Sequence, residues 1–160
     1  MPVPTTTSTT VPGLHQGTLS VRRGRLTLPP GAGNDRLTLR ATLALAPGSD
    51  GIDPASEGFM LSLDTVTFTI PGARFAVRSG RWRYHDRDGL GSVPSGITDV
   101  VVRLQRDGTY RIVVRGRHLE LSTFDGTNDR TINVTVQIGN DRGSASVPFR
   151  RVRSRDLRTP

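Results

Sequence analysis

The chain has 160 residues and a net charge of +8, with 22 basic residues that are all arginine and no cysteine. Its length suits one domain able to bury roughly 70% of its unfolded surface. The composition excludes disulfides, thiolate chemistry and cysteine-ligated metal, and no stretch approaches the ~20 apolar residues of a membrane-spanning helix. No apolar leader follows Met1, so a secretory signal is expected to be absent or already removed.

Residues 2–12, PVPTTTSTTVP, have no apolar period and cannot bury enough surface to offset their ordering entropy. Residues 1–13 are therefore read as an arm or tether. Within it Thr5, Thr6, Thr7, Thr9, Thr10 and Val11 form a β-prone run. That run is expected either to add as a strand to a neighbour's sheet edge or to serve as a plain spacer.

A domain over 14–149 follows, with strands predicted at 18–21, 25–28, 36–45, 59–63, 65–70, 74–78, 81–85, 99–105, 110–115, 131–138 and 144–149. The clearest signal is alternation of period two. Leu37, Leu39, Ala41, Leu43 and Leu45 form one apolar set, and Ile132, Val134, Val136 and Ile138 another. Such a period places one set on a buried face and the other on a wet face. Ser79-Gly80, Asp107-Gly108 and the 139–143 segment predict tight hairpins, with glycine supplying positive φ. Helix content should be low. The tail 150–160 carries five arginines and is expected to prolong the last strand briefly and then fray.

Many short strands with longer loops at 46–58 and 86–98 predict an all-β, two-sheet antiparallel β-sandwich with an extended N-terminal arm and a basic C-terminal tail. The segments beginning at Arg36, Gly51-Ile52-Asp53-Pro54, Phe68-Thr69-Ile70-Pro71 and Val134 through Asp141 resemble immunoglobulin-like β-sandwich modules of bacterial secreted or surface proteins. The resemblance spans about residues 35–149 and implies an extracellular, cell-surface or particle-surface setting. The cysteine pair and core tryptophan of antibody-type domains have no counterpart here.

Acid–base or nucleophilic catalysis needs positioned partners, and none of His15, His85 and His118 falls in a recognisable catalytic pattern. The chain is read as non-enzymatic, with no cofactor. Clustered loop carboxylates can supply the six to eight oxygens that calcium takes. Asp86, Asp88, Asp125 and Asp129 are the candidates, alongside Asp50, Asp53 and Asp141. Ordinary turn formation accounts for them better, and calcium is not expected to be needed for folding. Trp82 and Tyr84 share strand parity, so they form either a stacking platform for a base or sugar or a pair buried in the core. The wet neighbours Arg81 and Arg83 favour burial.

Wet-face Arg36, Arg40, Arg103, Arg111 and Arg115, with Arg150, Arg151 and Arg153 of the tail, form the candidate polyanion-binding set. Being dispersed along the chain, they are expected to bind polyanions weakly and nonspecifically. The leading expectation is a non-catalytic structural or protein-interaction module of a surface protein, filament or particle shell. Its partners would be other proteins, its own copies or a host assembly. The runner-up is a polyanion- or glycan-binding module.

Overall fold

The alternating runs become strands of a sheet whose inner side is apolar, aliphatic side chains interspersed with buried Phe and Tyr rings. The computed structural model describes residues 13–124 and 128–160, so the arm residues 5–11 and Asp125 lie outside the described part. Its strands are β1 (His15–Thr27), β2 (Asp35–Ala44), β3 (Phe59–Leu63), β4 (Val66–Ile70), β5 (Ala76–Arg78) and β6 (Arg81–His85). The second half supplies β7 (Ile97–Leu104), β8 (Tyr110–Leu119), β9 (Arg130–Ile138), β10 (Asp141–Arg153) and β11 (Asp156–Arg158). A single helical turn, α1 (Pro54–Glu57), and a 3-10 turn at Gly72–Arg74 complete the described elements. The protein is all-β, with helix in 5% of the chain, so sheet pairing decides the fold.

The expected division into two sheets is corrected by the pairing. All eleven described strands join one sheet in the order β4-β3-β9-β10-β11-β1-β2-β8-β7-β6-β5, curled into a half-barrel. The edge strands β4 and β5 are consecutive in the chain and separated only by residues 71–75. Six Cα steps span at most about 20 Å, so the two edges must lie near one another. An isolated bridge between Thr69 and Val93 helps draw them together. Phe59 of β3 packs against Phe75, and Phe75 against Tyr84 of β6, with ring centroids 6.4 Å and 5.9 Å apart. Alternation demands one covered face. A sheet curled onto itself supplies that cover as well as a second sheet does.

One apolar cluster runs from Leu19 to Leu157 and includes both alternating sets except Leu45, which follows the end of β2 and packs against it partly buried; Leu39, Leu43, Ile132, Val134, Val136 and Ile138 are fully buried. The predicted strands 18–21 and 25–28 are one strand, because the β1–β2 register slips between Val21 and Arg23. The extra residue, Arg22, switches the parity of β1. Leu19 points inward before it and Leu26 after it, while Arg23 and Arg25 turn to the wet side. Gly24 then has room only for hydrogen, since a Cβ would come within 2.7 Å of the Phe149 ring.

The tail does not fray. β10 continues to Arg153, and Asp156–Arg158 returns as β11 between β10 and β1, burying Leu157 completely. Asp156 holds this return in place: Arg25 Nε donates to its Oδ1 at 3.1 Å and Arg158 Nη2 to its Oδ2 at 2.9 Å. Burial raises its carboxyl pKa, but the hydrogen bonds from Arg158 and Arg25 outweigh burial, so the net shift is downward. A charged-looking tail therefore stays in the sheet because its one leucine is buried and its one aspartate is paired.

Candidate polyanion interface

The outer face of β6, β7, β8, β2 and β1 collects arginines in rows that cross the strands. Arg81 lies opposite Arg103, and Arg103 opposite Arg111, so three guanidinium-bearing residues stand side by side on three strands. The next row reads Arg83, Val101, Val113, Arg40 and Arg23. A third reads His85, Asp99, Arg115, Thr38 and Arg25, then Arg158 and Arg150. Neighbouring strands are ~4.8 Å apart and successive same-face residues ~6.7 Å apart. Both spacings lie inside the ~8 Å Debye length of physiological salt, so the charges act on an approaching anion together.

Little on this face neutralises them. Asp99 is engaged by His85 Nδ1 at 2.7 Å and lies 3.9 Å from Arg83 Nη2. Asp156 is taken by Arg25 and Arg158. Among the described residues Arg40, Arg81, Arg103, Arg111 and Arg115 make no ion pair. Together with Arg83 and Asp99 they wall a groove of about 340 Å³ whose remaining lining is Val101 and Val113. Arginine stems can rest on such an apolar strip while their heads stay in water.

Of the sequence-based set, Arg36, Arg40, Arg103, Arg111, Arg115 and Arg150 lie on this face, Arg36 opposite Thr27 at its margin. Arg151 and Arg153 lie at the exposed end of β10, opposite Leu157 and Asp156. Sequence reasoning left Arg81, Arg83 and Arg23 out of the set. The alternation of Arg81 and Arg83 with Trp82 and Tyr84 is the signal that points them outward.

Trp82 and Tyr84 point inward. Tyr84 is 1% exposed, with its ring against Phe75. Trp82 lies 6.3 Å from the Tyr110 ring and its Nε1 donates to Asp53 Oδ1 at 2.9 Å. Tyr84 thus offers no ring face to a base or sugar. Burial, the nearby Asp86 charge and a long 3.4 Å contact to its carboxylate push the Tyr84 phenol up to about 12.

Of the acidic loop candidates, Asp86 and Asp129 serve the backbone. Asp86 accepts the Gly91 amide at 2.7 Å and the Asp88 amide at 3.1 Å, and these bonds outweigh desolvation and lower its pKa. Asp129 accepts the Arg151 amide at 2.7 Å. Among the described residues, Asp86, Asp88 and Asp129 do not belong to any group of three close enough to share a cation.

No family model matches this chain, and neither the curated proteins nor the solved structures contain a match to it.

Proposed function

We propose that this chain is a non-catalytic module that docks on a linear polyanion through its convex arginine face, recognising backbone charge and no particular sequence. The row Arg81–Arg103–Arg111 carries this reading. Like charges directly opposite across strands destabilise a sheet, and three in line with no acidic partner suit a face meant to meet negative charge. Inward-facing Tyr84 and Trp82 argue against base stacking, and so against single-strand readers. The weak binding expected from dispersal in the sequence rested on chain order, and the register replaces that order with a patch.

Retention on heparin and on duplex DNA, measured over a salt series, tests the reading and separates the two sources of anion. With Arg40, Arg81, Arg103, Arg111 and Arg115 engaged, the slope of log K against log salt on duplex DNA should be about −4 to −5. Arg103→Glu with Arg111→Glu should abolish retention, whereas Arg87→Glu, at an exposed position of the 86–96 loop, should leave it nearly intact. A shallow slope, or a loss from Arg87→Glu as large as from the double variant, would overturn the proposal.

One observation favours a second reading, the protein-interaction module. The loop 86–96 is pinned by Asp86 and by the Gly96 amide donating to the Gly89 carbonyl at 2.8 Å. It presents Leu90 and Val93, which are 74% and 70% exposed. Two apolar side chains on a braced loop suit a protein contact. Leu90→Ser with Val93→Ser should then weaken self-association in sedimentation, and a wild-type chain that stays monomeric at high concentration would count against self-association by this route.

A further inference from the structure

His15, Asp50 and Asp141 come from three distant parts of the chain, yet one ligand atom of each lies within 4.8 Å of the others. The fold explains the convergence. His15 opens β1 and Asp141 opens β10, and these two strands pair in parallel with His15 directly beside Asp141. The His15 amide donates to the Asn140 carbonyl at 2.7 Å, which locks the register at this end. β2 finishes alongside, Ala44 pairing with Thr18, and the turn closed by the Ser49 amide on the Ala46 carbonyl carries the chain to Asp50.

Asp141 makes the group unusual. It is 1% exposed, and among the described residues neither of its carboxylate oxygens has a hydrogen-bond partner; His15 Nδ1, also buried, lacks one there too. A carboxylate withdrawn from water without donors is costly, and folded proteins rarely leave one so. The separation of His15 Nδ1 from Asp141 Oδ1 is 3.6 Å. That is too long for an N–H···O hydrogen bond. It is close to the roughly 3.3 Å between two ligands of one tetrahedral ion with bonds of ~2.0 Å. Asp50 is exposed, so a rotamer change can bring it the remaining distance.

We infer that His15 Nδ1, Asp50 and Asp141 bind a divalent transition-metal ion of the zinc class, with a fourth position open to water. One imidazole nitrogen with two carboxylates suits zinc-class ions better than calcium, which takes oxygen ligands alone. The ion satisfies the orphaned oxygens of Asp141 and staples the start of β1 to β10 and to the 46–58 loop, in a chain that has no disulfide to do so.

The test uses the full chain without an affinity tag, stripped with chelator and then freed of it. Zinc titrated by calorimetry should bind as one equivalent, and zinc at a hundred times its Kd should raise Tm by roughly 5–10 °C. Cobalt in place of zinc should give the visible bands of a low-coordinate site. His15→Ala and Asp50→Asn should each weaken zinc at least tenfold while leaving the metal-free Tm nearly unchanged. Asp141→Asn separates a metal site from a merely structural carboxylate: it should abolish binding while keeping or raising the metal-free Tm. The absence of a saturable equivalent would overturn the proposal. Zinc affinity unchanged in His15→Ala, or a metal-free Asp141→Asn chain that is strongly destabilised, would do the same.

Discussion

Arg103 faces Arg111 directly across the β7–β8 ladder, like charge against like charge, with Arg81 on the far side of Arg103. Such an arrangement holds the sheet slightly below its attainable stability, since an opposed like-charge pair costs about 0.2–1 kcal/mol. Arg103→Thr should therefore raise Tm a little at low salt and much less at high salt, where the repulsion is already screened. Thermal melts at two ionic strengths check this, and a variant less stable at both would show that the arginine stem contributes more than its charge costs.

The core prediction concerns Leu39, which is fully buried at the centre of β2 between β1 and β8. Leu39→Ala should cost about 2–5 kcal/mol in denaturant unfolding, through lost transfer energy and the cavity left behind. An unchanged midpoint would mean that this part of the curl is looser than its packing indicates.

Gly24 offers a sharper test of the curl. Its missing Cβ leaves space for the Phe149 ring, itself 1% exposed. Gly24→Ala should cost about 1–3 kcal/mol by overpacking. Combining it with Phe149→Leu should cost less than the sum of the single changes, because both alter one contact. Strict additivity would refute the steric account.

Tyr84 links burial to pH. Its phenol shifts from 10.0 to about 12 in the folded protein, chiefly through burial and then through the Asp86 charge. The folded state holds this proton more tightly than the unfolded chain. Its contribution is fully present below pH 10 and is lost as pH rises through about 12. Alkaline unfolding followed by circular dichroism and tyrosinate absorbance should show a steep loss of stability in that window. Tyr84→Phe should flatten it, and an identical profile in the variant would remove Tyr84 from the account.

Asp86 works in the opposite direction. Its carboxyl is lowered, first by the Gly91 amide, so its support for the 86–96 loop is present above the ordinary carboxylate range and fades as pH falls through its folded value. The Gly91 amide should exchange faster in acid than at neutral pH relative to core amides, after correction for intrinsic rates. Asp86→Ala should show the faster exchange at both.

Much of this protein was legible one strand at a time. The Leu37–Leu43 and Ile132–Ile138 alternations specified strands with one covered face, because side-chain direction along a strand depends only on the parity of neighbouring residues. The Ser79-Gly80 and Asp107-Gly108 turns announced their hairpins for equally local reasons. Strand partners could not be read this way. Whether the covered face met a second sheet or its own continuation depended on the short 71–75 crossing between edge strands and on the return of β11, which reads as a frayed tail until Leu157 finds its cavity. The bulge at Arg22 reversed the parity of β1 midway, which no uniform period anticipates. Arg81, Arg103 and Arg111 became neighbours through register, as did His15 and Asp141, and register is settled by turns, bulges and packing across the whole sheet. Local alternation therefore determined which residues face inward, and only the tertiary structure decided which charges stand side by side.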